Sequence, residues 1–373
     1  MTELPLVEWT EAGETRRARW RSEAGAVPPK RIVVADDSFK ADAAWRLACE
    51  GTAILWRGDF QNARQLLQAM ARRIDRKPRK AAAGLEAWNQ HRLAQSQRAR
   101  ILGMLLLPFE ADHSVPLRRA PDLREACREA RGEAGEPYLG SLRELLGIVG
   151  AHEWRKKGVA IPAAGGRIHP HYGVFAPLRG EYVELVAQAP LPAACKLAFD
   201  VGTGTGVLAG VLARRGVARV VATDRDPRAL TCARENIERL GFSAKVEIVD
   251  ADLFPAGRAA LVVCNPPWVP ARPSSPLEHA VFDPDSRMLK GFLGGLAAHL
   301  EPGGEGWLVI SDLAEHLGLR TRDQLLEWIG AGGLKVAGRI DCKAQHPRAA
   351  DAADFLHAAR AAEIISLWRL TAG

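Results

Sequence analysis

Seven consecutive residues, Asp200-Val201-Gly202-Thr203-Gly204-Thr205-Gly206, follow the apolar run Leu197-Ala198-Phe199 and lead straight into the apolar stretch 207–213. Glycines at alternate positions allow a tight strand-to-helix turn and a close approach of the backbone to a bound cofactor. The next apolar run after that turn ends in Asp224-Arg225, where a carboxylate can accept hydrogen bonds from ribose hydroxyls. A dinucleotide could use the same two features, but the charge of Asp200 would repel a pyrophosphate. That charge suits a cofactor with a cationic end, an ammonium or a sulfonium. A third run closes in Asp250-Ala251-Asp252-Leu253-Phe254, offering a carboxylate and an apolar ring where an adenine edge could be read. The expected cofactor set is therefore Asp200, Gly202, Thr203, Gly204, Gly206, Asp224, Arg225, Asp252 and Leu253, with Asn265 beside them.

A fourth run, Ala260-Leu261-Val262-Val263-Cys264, ends in Asn265-Pro266-Pro267-Trp268. In an open α/β sheet, ligands bind outside the carboxyl ends of the strands, so this tetrapeptide is expected to face the reacting group. Two prolines fix the backbone, presetting the Asn265 amide oxygen and the Pro266 carbonyl as acceptors for an –NH2 group. Trp268 adds a flat face for stacking. Asn265, Pro266 and Trp268 are the expected catalytic residues, and Pro267 and Trp268 are expected to touch the substrate.

Taken together, these stretches resemble the class I S-adenosylmethionine-dependent methyltransferases over roughly residues 170–373. The resemblance implies S-adenosyl-L-methionine as cofactor and a doubly wound, seven-stranded Rossmann-like sheet. The four-residue motif with Asn first and an aromatic last is similar to one shared by enzymes that methylate adenine or guanine amines and by those that methylate a glutamine amide. Upstream, Leu178-Arg179-Gly180-Glu181-Tyr182-Val183-Glu184-Leu185-Val186 resembles the Pro-Arg-Pro-Glu-Thr-Glu-Glu-Leu-Val stretch of glutamine methyltransferases acting on release factors and a ribosomal protein. Arg179, Glu181 and Glu184 match, which implies substrate-binding roles for Arg179 and Glu181. Leu178 and Gly180 stand where that stretch has prolines, and Trp268 where the motif usually has tyrosine.

The elements that must position these residues alternate from about Gly158 onward. Strands are expected at KLAFDV, RVVATD, KVEIVD, ALVVCN, GWLVIS, LKVAGRID and EIISLWRL, with helices near 180–188, 206–215, 227–240, 286–300 and 320–330. Near-continuous Val, Ile and Leu runs alternating with helices indicate a mostly parallel sheet covered on both faces. Residues 151–180, with Gly165-Gly166 between short apolar alternations, read as a hairpin or connector. Residues 1–150 read as a mainly helical domain after a lead that ends in Pro28-Pro29. Its helices are expected from Asp37 or Ser38 to about Glu50, from an Asp59 cap onward, over 85–106, and near 122–131 and 138–149.

Composition narrows the function classes. No apolar run approaches the length of a membrane span, and the N-terminal stretch up to Trp20 lacks an apolar signal segment, so a cytoplasmic protein is expected. The six cysteines, Cys49, Cys127, Cys195, Cys232, Cys264 and Cys342, are widely spaced, which argues against a local zinc or redox pair, and no metal is expected. Residues 1–170 carry 29 Lys and Arg against 21 Asp and Glu, and the excess is densest over 57–100, with eleven basic residues against three acidic ones. Such a surface fits an anionic partner such as RNA, or simply a solvated helical face. The functional expectation is an N-methyltransferase acting on a glutamine of a translation-related protein or on an RNA base, which would make nucleic acid a partner. A small-molecule methyltransferase of a biosynthetic pathway is the alternative. His346, Arg348 and His357, before the last strand, are further candidates for substrate contact.

Overall fold

The computed structural model describes residues 4–76, 82–193, 195–273, 278, 281–345, 351 and 354–373. It divides into two compact units, one of residues 1–81 with 90–153, the other of residues 82–89 with 154–373.

In the first unit, strands β1 (Leu6–Glu11), β2 (Glu14–Trp20), β3 (Arg31–Ala35), β4 (Thr52–Trp56), β5 (Leu105–Phe109) and β6 (Tyr138–Ser141) form one sheet in the order β1-β2-β6-β5-β4-β3. Helices α1 (Ala41–Cys49), α2 (Phe60–Asp75), α3 (Gly84–Gly103), α4 (Arg124–Arg131) and α5 (Leu142–Lys157) accompany it, and the first residues of α3 and the last of α5 belong to the second unit. The expectation of a mainly helical domain is thus corrected to a mixed α/β unit. Both faces of its sheet are covered: Ile54 and Trp56 pack in one apolar cluster, Ala53 and Leu55 in another. Two-sided burial makes a strand read as an unbroken apolar run, which helical periodicity absorbs. For that reason the helix expected over 85–106 ends at Gly103 and the one expected from 138 begins at Leu142. The lead up to Pro29 contains a hairpin instead, turned at Ala12-Gly13, both with positive φ. Its signal was the alternation of Val7 and Trp9, which are buried, with exposed neighbours. Neither Asp37 nor Ser38 caps α1, whose first flanking residue is Lys40; Asp37 instead accepts hydrogen bonds from the Asp59 N–H and the Asn62 amide. Asp59 does cap α2, and Phe60, Ala63, Leu66, Leu67 and Met70 form its buried face.

The second unit opens on the hairpin β7 (Val159–Ile161) and β8 (Gly166–Ile168), after which α6 (Glu181–Gln188) precedes a seven-stranded sheet. Its strands are β9 (Leu197–Val201), β10 (Arg219–Asp224), β11 (Val246–Asp250), β12 (Ala259–Cys264), β13 (Leu300–Ser311), β14 (Leu334–Lys343) and β15 (Ile364–Ala372). They lie in the order β11-β10-β9-β12-β13-β15-β14, parallel through β13, with β15 antiparallel to both its neighbours. Helices α7 (Val207–Arg214), α8 (Pro227–Arg239), α9 (Arg287–His299), α10 (Leu313–His316) and α11 (Arg322–Ala331) complete it. Ala198, Leu261 and Val263 pack with α6 and α7 on one face, while Phe199, Val262 and Leu308 pack with α9 and α11 on the other. The sheet is doubly wound, and its order reverses between β9 and β12. Cys264 pairs with Val201 across that junction, so Gly202 and Asn265 leave the sheet as neighbours.

Candidate active site

The turn from β9 into α7 requires its glycines. Gly202, Gly204 and Gly206 have φ of 73°, 55° and 80°, a region that costs any other residue about 1–3 kcal/mol. A Cβ on Gly206 would lie 3.3 Å from the Ala233 Cα of α8, and one on Gly202 would meet the Met288 side chain. Around Gly204 no atom lies within 4 Å of such a Cβ, so the middle of the turn opens onto space rather than protein. The N–H groups of Gly202 and Thr203 both donate to the Thr223 carbonyl, at 2.9 and 2.8 Å, tying the turn to the end of β10.

Two carboxylates brace this turn. Asp200 is buried at 1 % exposure, and its Oδ2 accepts hydrogen bonds from the Thr203 hydroxyl at 2.6 Å and the Ala209 N–H at 3.0 Å. Burial pushes its carboxyl up to about 6, against the opposing pull of those two donors. Asp224 accepts from the Gly204 N–H at 2.9 Å through Oδ2 and from the Asp226 N–H at 3.0 Å through Oδ1, and burial raises it as well. The Arg225 N–H also acts on Asp224, and a carboxylate's four lone-pair sites leave capacity for a hydroxyl. An open glycine cradle flanked by two carboxylates that burial leaves short of counter-charge fits a ligand with a cationic end and ribose hydroxyls.

Asp252 and Arg225 are both 62 % exposed and pair with each other at 3.3 Å. The Phe254 ring, expected to meet adenine, stacks on His299 at 4.2 Å and on Phe292 at 5.7 Å, because α9 supplies it an apolar neighbour that the local sequence could not reveal. Leu253 holds a φ of 73° and accepts the Thr223 hydroxyl on its carbonyl.

Beyond β12, Pro266 is buried while Asn265, Pro267 and Trp268 are partly exposed. The Trp268 indole N–H donates to the Asn265 Oδ1 at 2.8 Å, the same oxygen expected to receive an acceptor –NH2. Arg179 lies over the Trp268 ring, 5.3 Å from its centroid. Its Nη1 donates to the Glu363 Oε1 at 3.3 Å and its Nε sits 3.7 Å from the Glu181 Oε1. Glu181 also accepts the Gln345 N–H at 2.8 Å. The pair taken from the upstream stretch is therefore brought to the motif, engaged with the protein's own groups.

Sequence reasoning missed three residues here: Glu363, Ser311 and Asp283, all buried. Glu363 and Ser311 flank the ends of β15 and β13, where a polar residue closing an apolar run was the available signal. Asp283 accepts the Met288 and Leu289 N–H groups at 3.0 and 3.1 Å at the start of α9. The adjacent Asp285 and Ser286 both have positive φ. His346 and Arg348 fall outside the described residues, and His357 opens the short helix His357–Ala362. Among the described residues no group of His, Cys, Asp and Glu could hold a metal ion, and no helix is long and apolar enough to cross a membrane.

Known proteins share this half of the chain. The Methyltransferase small domain family matches residues 167–326. A release factor glutamine methyltransferase of Cereibacter sphaeroides is 35% identical over 164 residues, 42% of this chain and 55% of that protein. A ribosomal protein L11 methyltransferase of Pelotomaculum thermopropionicum is 52% identical over 69 residues, 18% of this chain and 22% of that protein. A tRNA1(Val) (adenine(37)-N6)-methyltransferase of Bacteroides fragilis is 31% identical over 160 residues, 39% of this chain and 67% of that protein. The chain thus spans only about half or less of the first two relatives. Glycine cradle, paired carboxylates and these matches agree on one family: the chain belongs to the S-adenosylmethionine-dependent methyltransferases, whose cofactor is S-adenosyl-L-methionine.

Proposed function

We propose that this protein transfers a methyl group to a planar nitrogen, the amide of a glutamine in a translation-related protein or the amine of an RNA base. The observation that carries the reading is Asn265 at the end of β12, beside the cofactor turn, with its amide oxygen already holding one N–H donor, that of Trp268. An oxygen that accepts an indole N–H accepts an amide or amine N–H in the same way. The three relatives act, by their names, on a release factor glutamine, a ribosomal protein and a tRNA adenine, which supports a translation-related acceptor.

In this reading S-adenosyl-L-methionine supplies the methyl group, and Gly202, Thr203, Gly204 and Gly206 pass close to it. Asp200 would provide negative charge toward its cationic end, and Asp224 would accept from the ribose hydroxyls. Arg225, Asp252 and Leu253 border the base. Asn265 and the Pro266 carbonyl hold the acceptor nitrogen so that its lone pair faces the methyl group. Transfer from a sulfonium needs alignment more than a strong base, and fixed acceptors provide that alignment. Pro267 and Trp268 line the acceptor's flat face, with Arg179 and Glu181 behind them.

The basic surface over 57–100 supports RNA less strongly than its composition did. Arg57, Arg73 and Arg98 are paired with Glu11, Asp42 and Asp75. A lysate from cells lacking the gene, incubated with the protein and tritiated cofactor, tests the reading. Label is expected in the protein or RNA fraction. Label confined to small molecules would transfer the assignment to a biosynthetic methyltransferase.

A further inference from the structure

Resting on the nitrogen-acceptor reading above, we propose that Arg179 and Glu363 are positioning residues for Trp268. They hold its indole N–H on Asn265, where it keeps the acceptor's place until a planar –NH2 group displaces it.

Glu363 is 3 % exposed, and a charge so buried needs partners. Among the described residues it has two: the Ser311 hydroxyl at 2.7 Å and the Arg179 Nη1 at 3.3 Å. The Ser311 Oγ also accepts the Leu313 N–H at 3.0 Å, so its own hydrogen is directed at Glu363. Glu363 is thereby fixed by the end of β13 and in turn fixes one edge of the Arg179 guanidinium.

The Arg179 Cζ lies over the Trp268 ring, 5.3 Å from its centroid, where the negative face of the indole attracts the cation. With the ring held from above, its N–H reaches the Asn265 Oδ1 at 2.8 Å. An indole nitrogen is a donor only, so it occupies one lone pair of Asn265 as an acceptor N–H would.

A second observation supports an additional partner. The Nε and Nη2 atoms of Arg179 are buried, yet have no hydrogen-bond partner among the described residues. Buried donors are nearly always satisfied. Both a glutamine amide and most nucleobases present, next to the –NH2 group, a carbonyl or ring nitrogen that such donors can hold. Entry of the acceptor therefore exchanges one N–H on Asn265 for another and adds bonds to Arg179.

The test uses full-length protein with 15N-labelled tryptophan, the Trp268 indole signal being assigned by its loss in Trp268→Phe. N-acetylglutamine amide and adenosine serve as probes of the two acceptor classes. In the free protein the Trp268 N–H should exchange with solvent roughly tenfold more slowly than in Asn265→Ala. Arg179→Lys and Glu363→Gln should each restore fast exchange, the lysine variant keeping a charge on Glu363 in case the glutamine variant does not fold. Saturation with one of the probes should also free the N–H, and Trp268→Phe, which keeps a flat ring, should bind that probe about fivefold more tightly. Fast exchange in the unaltered protein, protection that persists with both probes at saturation, or weaker probe binding by Trp268→Phe overturns the proposal. Failure of the nitrogen-acceptor reading would show elsewhere, as methyl label on oxygen or carbon with the Trp268 N–H still protected.

Discussion

Asp200 and Asn265 carry the two halves of the chemistry, and each has a separable consequence. The Asp200 carboxyl is raised to about 6 by burial, while in an unfolded chain it titrates near about 4. Between those values the folded protein holds the extra proton, so the cofactor-free protein loses stability as pH rises through that window. A cationic cofactor favours the ionised carboxylate, and its affinity should accordingly climb from pH 5 to about 7 and level off above. Calorimetry across that range checks the slope, which Asp200→Asn should flatten. Asn265→Ala should leave cofactor affinity nearly unchanged and lower turnover by roughly a hundred- to a thousandfold, the usual effect of removing one preorganised partner at a reacting centre. Single-turnover rates beside cofactor titrations separate the two effects. At this scale the sequence was informative where a residue type is demanded by chemistry, as at Asp200, Gly206 and Asn265. It marked Glu363 and Ser311 only as polar residues closing apolar runs, and their relevance comes from the antiparallel return of β15.

Among the elements, the turn between β9 and α7 admits the least variation. Gly206→Ala places a methyl group against the α8 backbone at a φ of 80°, and the left-handed conformation alone costs about 1–3 kcal/mol. Thermal melts should show that loss together with much weaker cofactor binding. At Gly202 the intruding group would meet only the flexible end of Met288, and the backbone term should dominate. Helix α3 supplies a second case. Trp88, in the part of α3 that belongs to the second unit, packs with Val269, Leu317 and Leu356 beside Trp268. Trp88→Ala should destabilise that unit by about 3–5 kcal/mol and disturb acceptor binding, measurable as a shifted denaturation midpoint. All seven strands of the second sheet were legible: the parallel ones leave Val, Ile and Leu runs between helices, while β15, antiparallel to both neighbours, and the largely exposed β14 were read from their own shorter apolar patterns. The strands of the first unit were not. Leu105–Phe109 closely follows the long helix Gly84–Gly103, and Pro108 within it reads as a helix stop rather than as part of a strand.

For the molecule as a whole, the excess of Lys and Arg over 1–170 suggested an anionic partner, and pairing of Arg57 with Glu11 and of Arg73 with Asp42 offsets only its local concentration over 57–100. If RNA is the acceptor, affinity should fall steeply between about 50 and 200 mM salt, with a slope set by the number of phosphates neutralised. A protein acceptor should show a shallower dependence, and filter-binding titrations over a series of salt concentrations distinguish them. The most direct test of the central claim is the identity of the methylated atom. Product labelled from the tritiated cofactor is digested to nucleosides and amino acids and analysed by mass spectrometry. N-methylated glutamine or an N-methylated base is expected, formed roughly a hundredfold or more slowly with Asn265→Ala. Label recovered on oxygen or carbon, at a rate that Asn265→Ala leaves unchanged, would contradict it.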